Sequence, residues 1–268
     1  MSIPLMTKRF SLSLRRVGFV FLLSLSCSAI GAAEADPELL QSVLDEKTDV
    51  QLRDAAVKML SKTKDGALAM IAMADKGTFP DELKSSAALA LAESEDEDVV
   101  KKGAKSLPLP VMKDGTQIPP VSKLLDMTGD PKAGRDVFRS ASGPNCINCH
   151  KIDDEGKEIG PPLSTIGEKG KEANFESILA PSASIQHGFE AWTVKTTSGK
   201  IVSGILKEDS DEKIVLLTTE GVFEEIPAAE VKKKTQQKAS LMPENLIKTM
   251  TTKDLVDLVE YLATLKVK

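Results

Sequence analysis

Cys146-Ile147-Asn148-Cys149-His150 is the stretch whose reading decides the rest of this chain. Two thiols three positions apart, followed at once by an imidazole, have a chemical reason for that spacing. On one helical turn both thiols can form thioethers to the edge of a single haem, and the histidine is then carried under the iron as proximal ligand. Other readings compete. A thioredoxin-like C-x-x-C closes a strand in a βαβ pattern, and no such pattern precedes Cys146. A zinc site asks for about four ligands, and His187 is the only other histidine in the chain. A chance pentapeptide is the third alternative. The flanking sequence weighs against it by supplying the other parts of a haem site.

Gly160-Pro161-Pro162-Leu163 comes next, where a loop should pass the proximal face. A backbone carbonyl there, taken to be that of Pro161, can accept the Nδ1 proton of His150 and fix the tautomer that ligates iron. Leu163 is counted with the haem-contacting residues, and an ordinary Gly-Pro turn is the alternative. For the sixth ligand the candidate is Met242 in Ser240-Leu241-Met242-Pro243, because Pro243 stiffens its loop and a C-terminal helix comes after it. A thioether is soft and neutral, favours ferrous iron and raises the potential. His187, Met250 and an open site are the rivals. The expected metal ligands are therefore His150 and Met242, and the expected cofactor is one covalently attached haem c.

Helices should flank this site. Asp130-Pro131 starts one that runs to about Ser140, with Gly134 and Phe138 on one face. Thr251 or Thr252 caps the last, whose stripe is Leu255, Leu258, Val259 and Leu262 with Tyr261 alongside. A glycine opposite an aromatic-bearing helix permits a close crossing. Between about 189 and 235 the pattern turns to alternating β-branched segments. Trp192 to Thr196, Ile201 to Leu206, Ile214 to Thr218, Val222 to Ile226 and a short piece at Val231 read as strands, with turns at Ser198-Gly199, Ser210-Asp211 and Glu220-Gly221. Five short strands predict a small barrel or curled sheet of SH3-like type, inserted in the haem domain and accounting for the long separation of His150 from Met242.

The first 33 residues combine Lys8, Arg9, Arg15 and Arg16 with an apolar run from Val17 to Ile30 and the small residues Gly31-Ala32-Ala33. That is the pattern of a secretory signal peptide, and the run is short for a membrane span; an uncleaved anchor is the alternative. Removal deletes four bases and no acids, taking the net charge from −5 to −9. So acidic a chain is a poor partner for nucleic acid or an anionic membrane. Loss of Cys27 leaves Cys146 and Cys149 with no cysteine to spare for a structural disulfide. An exported, periplasmic address suits covalent haem attachment.

Residues 34–107 are rich in Ala, Leu, Lys, Asp and Glu at helical spacing. Helices are expected after Asp36-Pro37, after Asp49 (Leu52, Ala56, Met59 and Leu60 inward), over Ala67 to Ala74, and after Pro80-Asp81. The second and fourth align at an offset of 31, Leu52 with Leu83, Arg53 with Lys84, Ala56 with Ala87 and Leu60 with Leu91, which resembles two HEAT-like hairpins. Two repeats are too few to stand alone, so this part should pack on the C-terminal half of the chain. Glu93 to Asp98 reads as a solvated acidic turn, and Pro108, Pro110, Pro119 and Pro120 mark residues 108–125 as a linker.

Taken in order, Gly134-Arg135-Asp136-Val137-Phe138, Cys146 to His150, Gly160 to Leu163, Ile166-Gly167, Ser177-Ile178-Leu179-Ala180-Pro181-Ser182, Gly199-Lys200 with Gly204, Ser240 to Pro243 and Leu255 to Leu262 resemble the haem-binding domain of planctomycete and verrucomicrobial cytochromes. The resemblance covers about 126–268. Phe189 stands where that family usually has tyrosine. Members are often preceded by HEAT-like repeats, and many are fused to a dehydrogenase-like β-propeller, for which this chain has no room. The resemblance thus implies a separate redox partner, a dehydrogenase or another cytochrome. The expected fold is mainly α with a small β insertion: HEAT-like hairpins, then a cytochrome c-like domain carrying a small barrel. The expected function is single-electron transfer with no catalytic residues. The alternatives are a peroxidase-like haem enzyme or sensor whose sixth position is labile or open, and an adaptor that recruits a dehydrogenase through its helical part.

Overall fold

A computed structural model describes residues 35–267; the expected signal segment, 1–33, lies outside the described residues. Nine α-helices and one sheet are seen among them. The first five are α1 (Pro37–Leu44), α2 (Val50–Leu60), α3 (Lys64–Asp75), α4 (Lys84–Ala92) and α5 (Glu97–Ser106). Local chemistry sets most of their starts. The side chains of Asp36, Asp49, Thr63 and Asp96 accept hydrogen bonds from first-turn amides, each worth about 1 kcal/mol. In α5, Asp96 caps a first turn that carries Glu97 and Asp98, where negative charge complements the helix dipole. The acidic run 93–98 is solvated and non-helical as far as the cap Asp96, as expected, and only Glu97 and Asp98 belong to the helix.

These helices enclose a core that includes Val57, Leu60, Met70, Leu83, Leu91 and Val99. On α2 the inward face differs from the expected one. Leu52 and Met59 are 63% and 58% exposed, while Arg53 and Asp54 are buried. Arg53 donates through Nε and Nη2 to the Val43 carbonyl at 3.0 and 2.9 Å and pairs with Glu82 at 2.7 Å. The buried guanidinium finds both a carbonyl and a carboxylate, and that pulls the helix round on its axis. The offset of 31 therefore relates Ala56 to Ala87 and Leu60 to Leu91, all buried, but neither Leu52 to Leu83 nor Arg53 to Lys84.

Four further helices build the second core: α6 (Val121–Leu125), α7 (Pro131–Arg139), α8 (Gly170–Leu179) and α9 (Thr252–Ala263). Residues 108–125, read as a linker, bring Met112, Ile118, Val121 and Leu124 into this core beside Phe138, Phe175, Leu255 and Val259. Asp130 caps α7, and Thr251 with Asp254 forms a reciprocal capping box on α9. The two helices cross where Gly134 lies against the α9 backbone. A β-carbon there would overlap the Asp257 carbonyl and meet Tyr261 Cβ at 2.8 Å. Phe138 meets Tyr261 edge to face at 5.9 Å. Asp257, buried, accepts the Asp130 amide at 2.8 Å and pairs with Lys253 at 2.6 Å.

The inserted strands are β1 (Ala191–Thr196), β2 (Ile201–Asp209), β3 (Lys213–Leu217), β4 (Phe223–Pro227) and β5 (Val231–Gln236). They form one antiparallel sheet in the order β4-β3-β2-β1-β5. This corrects the expected barrel: β4 and β5 are the two edges and do not pair, so the sheet is open. Both edges are charged, with Lys232, Lys233 and Lys234 on β5 and Glu224 and Glu225 on β4, which ends at Pro227. Charge and proline on an edge oppose further strand pairing. One face buries Val194, Val202, Ile214, Leu216 and Ile226. On the other, Ile205 and Leu217 meet Ile159.

Polar ties join the first helices to the rest. Lys58 pairs with Glu176 at 2.8 Å and Lys238 with Glu46 at 2.5 Å. Gln51 Nε2 donates to the Ile185 carbonyl at 3.1 Å and Ser85 Oγ to Glu244 at 2.7 Å.

Gly134→Val should lower stability by roughly 3 kcal/mol or more, since overpacking alone typically costs 1–3 and the obstacle here is helix backbone. Urea unfolding of the variant beside wild type measures this.

Candidate functional site

The turn that holds Cys146 is closed by its own backbone. Asn145 precedes it in the left-handed region, at φ 50°, a conformation asparagine tolerates better than most residues. The Cys146 carbonyl then accepts the amides of Cys149 at 3.1 Å and His150 at 2.9 Å. Cys146 to Asn148 form a single 3-10 turn, and at three residues per turn positions i and i+3 eclipse. Both thiols are free. Each meets a different apolar cluster. Cys146 packs with Ile147 against the helical core, and Cys149 packs against Ile159, Ile205 and Leu217 beside Phe189 and Leu241. The turn therefore sits at the seam between helices and sheet.

Burial pushes the Cys146 thiol up to about 12 and the Cys149 thiol up as well. Both stay protonated at neutral pH, the opposite of the lowered thiol in a disulfide oxidoreductase. Among the described residues no three or more His, Cys, Asp or Glu side chains gather so as to hold a metal ion, so the zinc reading lacks its ligand set.

Residues 160–163 zip onto the turn. The Gly160 amide donates to the Cys149 carbonyl at 2.7 Å and the Leu163 amide to the Lys151 carbonyl at 2.8 Å. Between them the Pro161 carbonyl lies 2.8 Å from His150 Nδ1. A carbonyl only accepts, so Nδ1 carries the proton and Nε2 keeps its lone pair. Gly160 lies flat against the ring, where a β-carbon would come 2.5 Å from Cε1. Burial lowers the His150 pKa and the Pro161 bond opposes that, with burial the larger effect. The imidazole is neutral, oriented and open at one nitrogen. The Leu163 side chain packs on the helical core.

Met242 is half-buried against that same core, and its neighbour Leu241 lies on the Cys149 cluster. The two adjacent residues thus straddle the seam that Cys146 and Cys149 straddle. The rivals lie elsewhere. His187 is fully exposed with Nδ1 3.3 Å from Glu190, and Met250 is 1% exposed inside the helical core. One participant went unassigned in the sequence. Ser182, 1% exposed, accepts the Ser240 amide at 3.1 Å, and Ser240 Oγ accepts the Met242 amide at 3.1 Å. Its signal is a lone hydroxyl in the otherwise apolar run from Ile178 to Ala183.

These residues suit a c-type haem by their donor set: two free thiols, one oriented imidazole and a thioether loop reaching the same seam. Residues 131–216 match the family model for cytochrome c. The matched segment contains Cys146, Cys149, His150, Pro161 and Leu163 but stops short of Met242. It supports a c-type cytochrome, with haem c binding and haem-based electron transfer. No curated protein matches the chain. Among the described residues no helix is long and apolar enough to cross a membrane.

The buried imidazole has two measurable effects. The folded state disfavours protonated His150, so the unfolded chain takes up that proton first as pH falls through 6.5. The apoprotein should therefore lose stability from pH 7.5 to 5.5, and His150→Gln should remove that part of the loss; denaturant melts at the two pH values measure it. Gly160→Ala should turn the ring off the Pro161 carbonyl and cost about 1–3 kcal/mol. The slowly exchanging ring N–H signal of His150 should then disappear from the proton NMR spectrum.

Proposed function

We propose that this chain is an exported, periplasmic cytochrome of the planctomycete and verrucomicrobial type that carries single electrons on one covalently bound haem. It works with a separate dehydrogenase or another cytochrome rather than as an enzyme. The observation that carries the reading is the His150–Pro161 hydrogen bond within the Cys146 to His150 turn. In this reading residues 34–107 form HEAT-like repeats and 126–268 the haem domain, with 108–125 between them and the β insertion at about 189–235.

Haem supplies a one-electron iron couple when bound. The chain's own residues do the rest. Cys146 and Cys149 tether the group by thioethers, and His150 presents Nε2 while Pro161 holds the proton at Nδ1. Leu163 and the Cys149 cluster with Ile205 and Leu217 keep water from its surroundings, which favours the less charged state of the couple. Met242 offers its thioether from the opposite segment. Held by both His150 and Met242, the iron would offer no open position to oxygen or peroxide, and no acid–base residue is required.

One observation favours a second reading, a sensor or peroxidase-like enzyme with a labile sixth position. Pro243, Glu244 and Asn245, directly after Met242, are all exposed, so the loop has room to leave. An absorption spectrum of the haem-loaded oxidised protein decides between them. The carrier reading expects the weak red methionine-to-iron charge-transfer band in wild type and its loss in Met242→Ala. Absence of the band from wild type, with rapid carbon monoxide binding after reduction, favours the second reading.

A further inference from the structure

The Met242 loop is held by few contacts, and they differ in kind. Lys238 pairs with Glu46 and Ser85 bonds Glu244, one pair on either side of Met242. Both are exposed, and such surface contacts are worth about 0–1 kcal/mol. Inside, the Ser182 hydroxyl accepts the Ser240 amide at 3.1 Å, and the Ser240 hydroxyl accepts the Met242 amide at 3.1 Å. Ser182 is 1% exposed, between buried Pro181 and Ala183 just beyond the end of α8. The Ser182 hydroxyl is buried and the Ser240 amide partly so, and such groups are costly to leave without a partner. A proline-led turn on a packed helix end is also a stiffer anchor than a lysine side chain in water.

We propose that Ser182 is the positioning residue for Met242. Its hydroxyl ties Ser240, and through Ser240 the Met242 backbone, where the Met242 side chain packs on the helical core and Leu241 on the Cys149 cluster. The proposal rests on Met242 being the axial ligand. Without the tie the loop hangs from its two exposed contacts, and the thioether spends more time away from that core. Ser182 touches no part of the group itself. It acts only through where it holds the chain.

The test uses full-length haem-loaded protein as wild type, Ser182→Ala, Ser240→Ala and Met242→Ala. Two readouts are taken besides far-UV circular dichroism: the red charge-transfer band of the oxidised form and the carbon monoxide affinity of the reduced form. Ser182→Ala should keep its fold and covalent haem, show a weakened band, and bind carbon monoxide roughly three- to tenfold tighter, the factor that loss of one ordinary hydrogen bond gives. Ser240→Ala should shift both readouts the same way. If Met242→Ala abolishes the band while Ser182→Ala matches wild type in both readouts, the positioning role is overturned and the ligand assignment stands. If Met242→Ala keeps the band, the ligand assignment itself fails and takes the proposal with it. Should Ser182→Ala not mature, Ser240→Ala decides on the same readouts, and wild-type behaviour there overturns the proposal.

Discussion

A neutral imidazole among apolar groups has one N–H to satisfy, and the arrangement around His150 is built on that requirement. The Pro161 carbonyl meets it at 2.8 Å. For it to do so, residues 160–163 must lie along the cysteine turn, pinned by the Gly160 and Leu163 amides, and position 160 must lack a side chain. One hydrogen bond of this kind nets only about 1 kcal/mol. Its larger effect is on geometry, because it decides which nitrogen keeps a lone pair and which way that nitrogen faces.

The same economy of means appears in the second core. Gly134 lets α7 and α9 close until Phe138 meets Tyr261, and buried Asp257 ties the start of α7 to α9. The turn of Cys146 comes directly after α7, and the Met242 loop directly before α9. Packing the two helices therefore brings the two halves of the site to one place, although they are remote in sequence. The open sheet covers the Cys149 side through Ile205 and Leu217. The N-terminal helices reach both the Ser182 side and the Met242 side with polar contacts.

Much of this could be read from short-range pattern. The caps at Asp36, Asp49, Asp130 and Thr251 announce themselves, and the strands show their alternation and turns. The contact between His150 and Pro161 spans eleven residues and so falls within a local reading. The features that escaped depend on distant partners. Whether a sheet closes turns on two edge strands meeting, which periodicity within a strand does not encode. The face of α2 was misplaced because buried Arg53 draws its partners from Val43 and Glu82, and charge pattern alone marks such a residue as exposed. Helix α5 was hidden because capping and first-turn acids look like a solvated charge run. Ser182 gained no role because its partner, Ser240, lies 58 residues away.

The pairing of α7 with α9 also governs how well the Cys146 thiol is covered. The cluster it packs against draws Leu255, Leu258, Val259 and Leu262 from α9. Shelter of that thiol is therefore set by a helix remote from it in sequence, and whatever loosens α9 opens the thiol to water.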